Sequence, residues 1–561
     1  MSFLNFELKN LPSDIASGAV SGLVAIPDAI ASAFLAGVNP TYAFNALMTG
    51  TPIGSLFSGS QYMNIGLTSA MMLAVADAMA EVSSENFLTA LFTLAVLIGL
   101  FQLSLGLLKL GKFTKFISNS VMIGFLTGIA VVVILGQLGD LTGYDSEFSG
   151  TVSAALDTLL HPGEWDVLTA VTSVITIALI LIFSRISFLK NFSMALAMVL
   201  GTAVVLILGW DSVELVGDVS QISSSFPTPV LPDFTMVSRL ALSAVAIGLI
   251  GLIQGSGVSQ GVPNPDGEYP DASKDFSAQG ISNIVSGTFQ GLPMGGSLGL
   301  TALIKSTGGK SRWANVFVGV FVAIFVLFFG DLVELVAMPT VAAILFVVGF
   351  EIIKPAQIRD VWDVNVSKRV IMVVTFLLTL TLPVQQAIII GVFISFLDYI
   401  YSTSKLVQLA ELVPLEKGMF SVEPIRAELK DNQVTILHSR GSTYFAAART
   451  LQELLPSAKT AQNAVVIVRL RGNEEIGSTF ILVLERYAME LHAIGGRLML
   501  SGVHENVLKQ LRRTETTETI PEDAIHMATN VLGESTKDAV ATATAWLAEK
   551  ATIAEQDGGN A

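Results

Sequence analysis

The stretch "NIGLTSAMMLAVADAMA", residues 64–80, is apolar enough for a membrane but short, and rich in small and hydroxyl side chains. A plain spanning helix needs about 20 predominantly apolar residues. The segment "GSLGLTALIKS", residues 296–306, has the same character and opens on Gly and Ser. Each reads as a half-helix entering the membrane after an extended stretch. Such a start leaves backbone N–H groups without intrahelical partners, and lipid supplies none. The two half-helices therefore belong inside protein, not against lipid.

Around them, runs of spanning length recur near residues 14–36, 42–58, 86–109, 115–138, 166–184, 192–210, 239–260, 275–292, 313–330, 332–350, 366–383 and 385–403. With the two short segments this makes about fourteen elements, and the short ones stand third in each half. Paired broken helices at corresponding places point to a transporter site built from inverted repeats. Each half-helix start carries about +0.5 of charge and free N–H groups. That arrangement suits an anion and needs no basic side chain. Helix packing through small residues is the other reading of the same segments.

Composition agrees with a polytopic membrane protein. Of the 561 residues, 52% are hydrophobic and 14% charged, with a mean hydropathy of +0.66. Charge is sparse before about residue 410 and frequent after it, so a transmembrane domain over 1–410 precedes a soluble domain over 418–555. A net charge of −15 argues against nucleic acid as a partner. The absence of cysteine excludes disulfides, thiolate metal sites and cysteine catalysis. The N-terminus has no cleavage pattern of a signal peptide. Lys109, Lys112 and Lys115 share one loop, Arg185 and Lys190 another, and Lys305, Lys310 and Arg312 a third. Lys354, Arg359, Lys368 and Arg369 share a fourth, while the intervening loops hold Asp140, Asp145, Glu147 and Asp157, then Asp211, Glu214 and Asp218, then Asp331 and Glu334. By the positive-inside rule both termini and the C-terminal domain are expected in the cytoplasm of a cell (inner) membrane protein.

After about residue 418 the periodicity changes. "QVTILHS", "NAVVIVRL" and "RLMLSGV" read as buried strands, and "FAAARTLQELL", "STFILVLERYAMELHAIG", "HENVLKQLRRT" and "DAVATATAWLAEK" as amphipathic helices. Their alternation implies an α/β layer.

"IPDAIASAFLAGVNPTYAFNA", "GSQYMNIGLTSAMMLAV" and "GGSLGLTALIKSTGGKSRWAN" resemble the first, third and tenth segments of the SulP anion transporters, and the C-terminal region resembles their STAS domain. The resemblance implies a seven-plus-seven inverted repeat with core and gate domains, transport of sulfate, bicarbonate, chloride or dicarboxylates, and assembly as a homodimer. It also carries departures. The family's first-helix Gln, beside the anion, is Asp28 here. The eighth-helix acid that helps to hold Na⁺ in sodium-coupled bicarbonate transporters matches Gln254. Two hydroxyls of that site become Val258 and Leu298, and a tenth-segment Arg becomes Leu300. A sodium site is therefore not carried over. In the STAS-like region the loop "RGNEEIGST" has Gly477 where the family has an aspartate, which weakens a phosphorylation-switch reading and leaves an assembly or regulatory role.

The candidate substrate residues are Asp28, Gly66, Thr68, Ser69, Gln254, Gly296, Ser297 and Thr301. Hydroxyls and backbone N–H groups at a helix start can replace an oxyanion's hydration shell, and Gly66, Gly295 and Gly296 permit close backbone approach. An ionised Asp28 would repel an anion, whereas a protonated one donates a hydrogen bond as Gln does, so Asp28 is also the candidate proton-coupling group. The alternative is a cap for N–H groups freed near Pro27. Gln254 either contacts the ligand or bonds between helices. Lys305 and Lys310 read as interfacial anchors. "VPNPDGEYPDASKDF", residues 262–276, reads as a solvated connector whose acids do not fit an EF-hand. Neither a phosphate-binding loop nor a catalytic or metal constellation is visible, so no enzyme and no cofactor is expected. An anion channel and a STAS-based membrane sensor remain the competing functions.

Overall fold

The structure, a computed structural model, describes residues 8–111, 118–148, 150–404, 408–415, 419–440, 445–459 and 461–558. The chain divides into two compact units, residues 1–395 and 396–561. The first half of the membrane part runs through α1 (Leu11–Leu35), α2 (Pro40–Phe57), strand β1 (Asn64–Gly66), α3 (Ser69–Met79), α4 (Phe87–Leu107), α5 (Asn119–Gly136), α6 (Val167–Arg185) and α7 (Ser193–Leu208). The second half repeats the order: α8 (Val237–Gly261), α9 (Ala272–Thr288), strand β2 (Gly295–Ser297), α10 (Leu298–Ser306), α11 (Trp313–Phe329), α12 (Met338–Ile352), α13 (Val366–Thr381) and α14 (Val384–Ser404). Among the described residues, eight helical stretches are long and apolar enough to cross a membrane by length and composition.

The packing repeats the sequence order. α1 lies on α11 as α8 lies on α4; α2 lies on α11 as α9 lies on α4; α5 lies on α13 as α12 lies on α6. Exchanging helix n with helix n+7 maps each contact onto another, which is what two interlocked repeats require. Helices α1–α4 and α8–α11 thus form one body around β1 and β2, and α5–α7 with α12–α14 form a second. Contacts of α1 with α7 and α12, and of α3 with α5, join the two.

Local chemistry fixes the half-helices. The Thr68 hydroxyl accepts the Met71 N–H at 3.4 Å, and the Ser297 hydroxyl accepts the Leu300 N–H at 3.4 Å. These are N-cap bonds, and they start α3 and α10 at those residues. α1 runs unbroken through Pro27, so no freed N–H group awaits a cap there. The run expected over 332–350 is split: 331–334 forms a short helix of its own before α12 begins at Met338. Its interruption has a cause, because Val216 N–H donates to Val336 O at 2.8 Å and Met338 N–H to Glu214 O at 2.9 Å. The 262–276 stretch also departs from expectation. Asp275 lies in the first turn of α9 and is buried, so this part is not a solvated connector.

The second unit is an α/β layer with sheet order β4-β3-β5-β6-β7-β8. β5 (Val434–Arg440), β6 (Val465–Arg469), β7 (Arg497–Val503) and β8 (Ile525–Met527) are parallel, and β3 (Gln408–Pro414) and β4 (Phe420–Glu423) close one edge antiparallel. Its helices are α15 (Phe445–Leu454), α16 (Ser478–Ala493), α17 (Glu505–Arg513) and α18 (Glu534–Gly558). The three expected strands and four expected helices are present. β3, β4 and β8 are additional. The core gathers Ile467, Leu500, Phe480 and Leu484 between sheet and helices.

Close approach at β2 makes a sharp prediction. A Cβ on Gly296 would stand 2.5 Å from Gly255 Cα, whereas one on Gly299 meets nothing within 4 Å. Gly296→Ala is therefore expected to lower the melting temperature of the purified protein by the equivalent of about 1–3 kcal/mol, with Gly299→Ala close to wild type. Equal melting of the two variants would refute the backbone contact.

Candidate functional site

β1 and β2 pair antiparallel, Asn64 with Ser297, Ile65 with Gly296 and Gly66 with Gly295. Facing residues in such a pair lie about 4.5–5.5 Å apart. Antiparallel pairing sends α3 and α10 out of the ribbon in opposite directions, so the two half-helices start on either side of it. The first N–H groups of each helix, those of Ser69, Ala70, Leu298 and Gly299, have no partner within their own helices. α1 and α8 pack against both half-helices and wall the crossing. No Lys or Arg occurs in 64–76 or 295–304.

The structure gathers most of the sequence-derived residues at this point. Gly66 ends β1, Thr68 caps α3, Ser69 opens it, Gly296 lies in β2 and Ser297 caps α10. Thr68 Oγ1 donates to Gln254 Oε1 at 2.9 Å. This bond turns the amide nitrogen of Gln254 away from Thr68, and among the described residues it meets no acceptor. Thr301 has a different role. It is fully buried, accepts the Asn64 N–H at 2.9 Å and donates to Ser297 O at 2.5 Å. Both capacities of its hydroxyl are thus used in strapping β1 to α10, and Thr301 is a strut between the half-helices. Val258 is buried, Leu300 is 5% exposed, and Leu298 is 56% exposed.

Asp28 lies on α1, half-buried, and makes no hydrogen bond among the described residues. The carboxylate of Glu351, in the last turn of α12, is near enough to repel it. Lys190 and Lys354 in turn stand near Glu351.

Sequence reading missed the groups that hold the crossing. Asn64 Nδ2 donates to Asn315 Oδ1 at 2.8 Å, and Asn315 Nδ2 donates to Tyr62 O and Met63 O at 3.2 and 3.3 Å. On the other repeat Met294 N–H donates to Asn283 Oδ1 at 2.6 Å. Asn283 Nδ2 donates to Met294 O and to Gln102 Oε1, both at 2.8 Å. α11 thus secures one approach directly through Asn315, and its equivalent α4 supplies Gln102, which holds the Asn283 of α9 that secures the other. Asp14 and Asp275 were missed as well. Asp14 accepts the N–H groups of Lys310 and Ser311 and the Ser311 hydroxyl. Asp275 accepts from Ser58 Oγ, Gly59 N–H, Ser60 N–H and Ser259 Oγ at 2.6–3.1 Å. The available signal was a polar or acidic residue inside an apolar run.

Two inverted repeats that meet at crossed half-helices, with free donors and no cation between them, define a membrane carrier for a small solute. The chain belongs to the sulfate permease family, whose model matches residues 11–375, and a STAS domain matches residues 426–531. The family is one of transporters, not enzymes. The bicarbonate transporter BicA of Synechocystis is 25% identical over 95% of both chains. Sulfate transporter 4.1 of Arabidopsis thaliana is 22% identical over 68% of this chain and 57% of its own. The fold is that of the murine Slc26a9 anion transporter solved in the inward-facing state, with a TM-score of 0.82 at 17% identity, covering 96% of this chain and 92% of that one.

One further tie joins the two membrane bodies. The Asp77 carboxylate on α3 accepts the Val384 N–H at the start of α14, at 2.6 Å. Asp77→Ala is expected to free α3 from α14. Because the chain has no cysteine, single cysteines at Ala80 and Thr381 allow clean spin labelling. Their distance distribution should broaden in the variant, and an unchanged distribution would mean that the bond does not restrain the bodies.

Proposed function

We propose that the protein is a secondary-active transporter of small anions, independent of Na⁺ and assisted by protons. The observation that carries this reading is the β1–β2 ribbon, which brings two half-helix starts together with their N–H groups free. Positive helix ends and oriented N–H groups bind anions without a basic residue. Family membership supports the reading, and relatives are named as sulfate and bicarbonate transporters. Hard cations require several oxygen ligands. Gln254, Val258 and Leu298 stand where sodium-coupled relatives place oxygens, which is the reason for excluding Na⁺.

Asp28 is the proposed coupling group. Two unit charges about 6 Å apart at an effective dielectric near 20 repel by about 3 kcal/mol. An anion therefore binds better when Asp28 is neutral, and by linkage the anion favours the proton equally. Lysine-bearing loops are assigned to the cytoplasm by the positive-inside rule. Lys190 and Lys354 stand beside Glu351, and Glu351 beside Asp28, so this reading opens the site toward the cytoplasm. Both termini are cytoplasmic in it, the STAS domain serves assembly or regulation, and the working unit is a homodimer.

Proteoliposomes loaded under imposed pH and Na⁺ gradients test this. Anion uptake should rise as external pH falls and ignore Na⁺. Asp28→Asn should still take up anion with a flattened pH profile, since the amide donates without titrating. A steep Na⁺ dependence would refute the coupling assignment. Current that reverses at the Nernst potential of the anion alone, with no proton flux, would favour a channel.

A further inference from the structure

At its first turn, next to the ribbon, half-helix α10 exposes one large side chain, and it is apolar. Leu298, its first residue, is 56% exposed, while Leu300 and Thr301 are 5% and 0% exposed. Asp28, Thr68, Ser69 and Gln254 are half-buried, on α3 and on the two helices, α1 and α8, that pack against both half-helices. A lipid-facing surface would not carry a carboxylate without a partner, so Leu298 faces the solute path.

Charge limits what can sit beside it. The two helix ends supply about +1 together, and Asp28 supplies −1 or nothing. With no Lys or Arg in 64–76 or 295–304, a monoanion beside neutral Asp28 leaves the site close to balanced. A dianion leaves about one uncompensated negative charge. Donor geometry points the same way. A carboxylate has two oxygens with about four lone-pair sites, few enough for the N–H groups of a half-helix start and a neighbouring hydroxyl or amide to satisfy. A tetrahedral oxyanion needs donors on every side, and on the Leu298 side it meets an isobutyl group. An oxygen left without donors there loses its hydration uncompensated.

A second observation concerns the proton. Asn64 Oδ1 is fully buried and has no partner among the described residues. Its orientation is fixed, because Asn315 Nδ2 donates to two carbonyls and so must present its Oδ1 to Asn64 Nδ2. This acceptor is aimed at Gly66, where a Cβ would lie 2.7 Å away. Besides the Asp28 carboxylate, Asn64 Oδ1 is thus a second acceptor near the crossing that no described group satisfies.

We infer that Leu298 sets the substrate class, and that the site takes a small monocarboxylate, carboxylate on the half-helix starts and carbon body against Leu298, in preference to sulfate. The inference rests on the anion-transport reading above. Pyruvate and sulfate, both radiolabelled, are the probes, in proteoliposomes under an inward proton gradient with empty liposomes as background. Wild type should move pyruvate at least tenfold faster than sulfate. Leu298→Ser should lower that ratio at least tenfold by gaining sulfate uptake as well as losing pyruvate uptake. Should the variant fail to fold, the ligand dependence of wild-type melting decides: pyruvate should protect at lower concentration than sulfate. Equal or better transport of, or protection by, sulfate overturns the inference and leaves anion transport standing. If neither these two probes nor bicarbonate or chloride moves or protects under any gradient, the transport reading falls and takes the inference with it.

Discussion

The structure depends on satisfying peptide groups in the middle of a membrane. Two helices stop half-way, and each unpaired N–H or C=O in hydrocarbon costs several kcal/mol. The β1–β2 ribbon removes most of that cost by pairing the two extended approaches with each other. Pairing at such close quarters needs residues without side chains, hence Gly295 and Gly296 against Gly251 and Gly255 of α8. It also needs something to hold the approaches in register. Asn315 does this for residues 62 and 63, and the Gln102–Asn283 pair does it for Met294. The N–H groups that remain free are those of the helix starts, which is why the binding capacity of the molecule is concentrated there.

Carboxylates inside the membrane body separate into two kinds by their partners. Asp275 receives four hydrogen bonds and Asp14 three, and both pin loops that lead into or out of a half-helix. Such groups are structural: the donors around them replace water. Asp28 receives none from the described residues and has a second carboxylate near it. A structural cap would look like Asp14. An acid left bare on a helix that packs against both half-helices fits the proposed role of a residue whose partner comes and goes. That contrast within one molecule is a stronger reason to assign function to Asp28 than its position in the sequence.

Fold and site were legible in the sequence to different depths. Span length, loop charge and the Gly-Ser-Thr openings of 64–80 and 296–306 announced the fourteen elements and the paired breaks, because each is a local or periodic signal. Thr68, Ser69 and Ser297 could be placed because N-caps follow rules a few residues long. Polar pairs did not announce themselves. Asn64 and Asn315 are 251 positions apart, and no periodicity links them. Asp275 was taken for part of a solvated loop since its neighbours "NPDGEYPD" are turn residues, yet its burial comes from Ser58–Ser60 and Ser259, brought there by tertiary packing. Thr301 was misassigned in the other direction. A hydroxyl one turn into a half-helix could face the solute or the ribbon, and only the position of Asn64 decides it.

The two bodies meet differently at their two ends, and this bears on how a carrier of this design works. Near the end of α12 the interaction is between like charges, Glu351 repelling Asp28 while Lys190 and Lys354 attract Glu351. At the start of α14 it is an attraction, the Asp77 carboxylate on a helix N-terminus. On the proposed reading, the repulsive end is the one through which the site communicates. If Asp28 couples as proposed, binding a proton with the anion removes the repulsion between the two bodies at that end. Reaching the opposite state also requires the Asp77 bond to break. Under the proposed coupling, loading the site relieves the first constraint and leaves the second, so the proton-coupled step is the closing of the Glu351 side, and the opening of the Asp77 side, which must break the Asp77–Val384 bond, is a separate barrier.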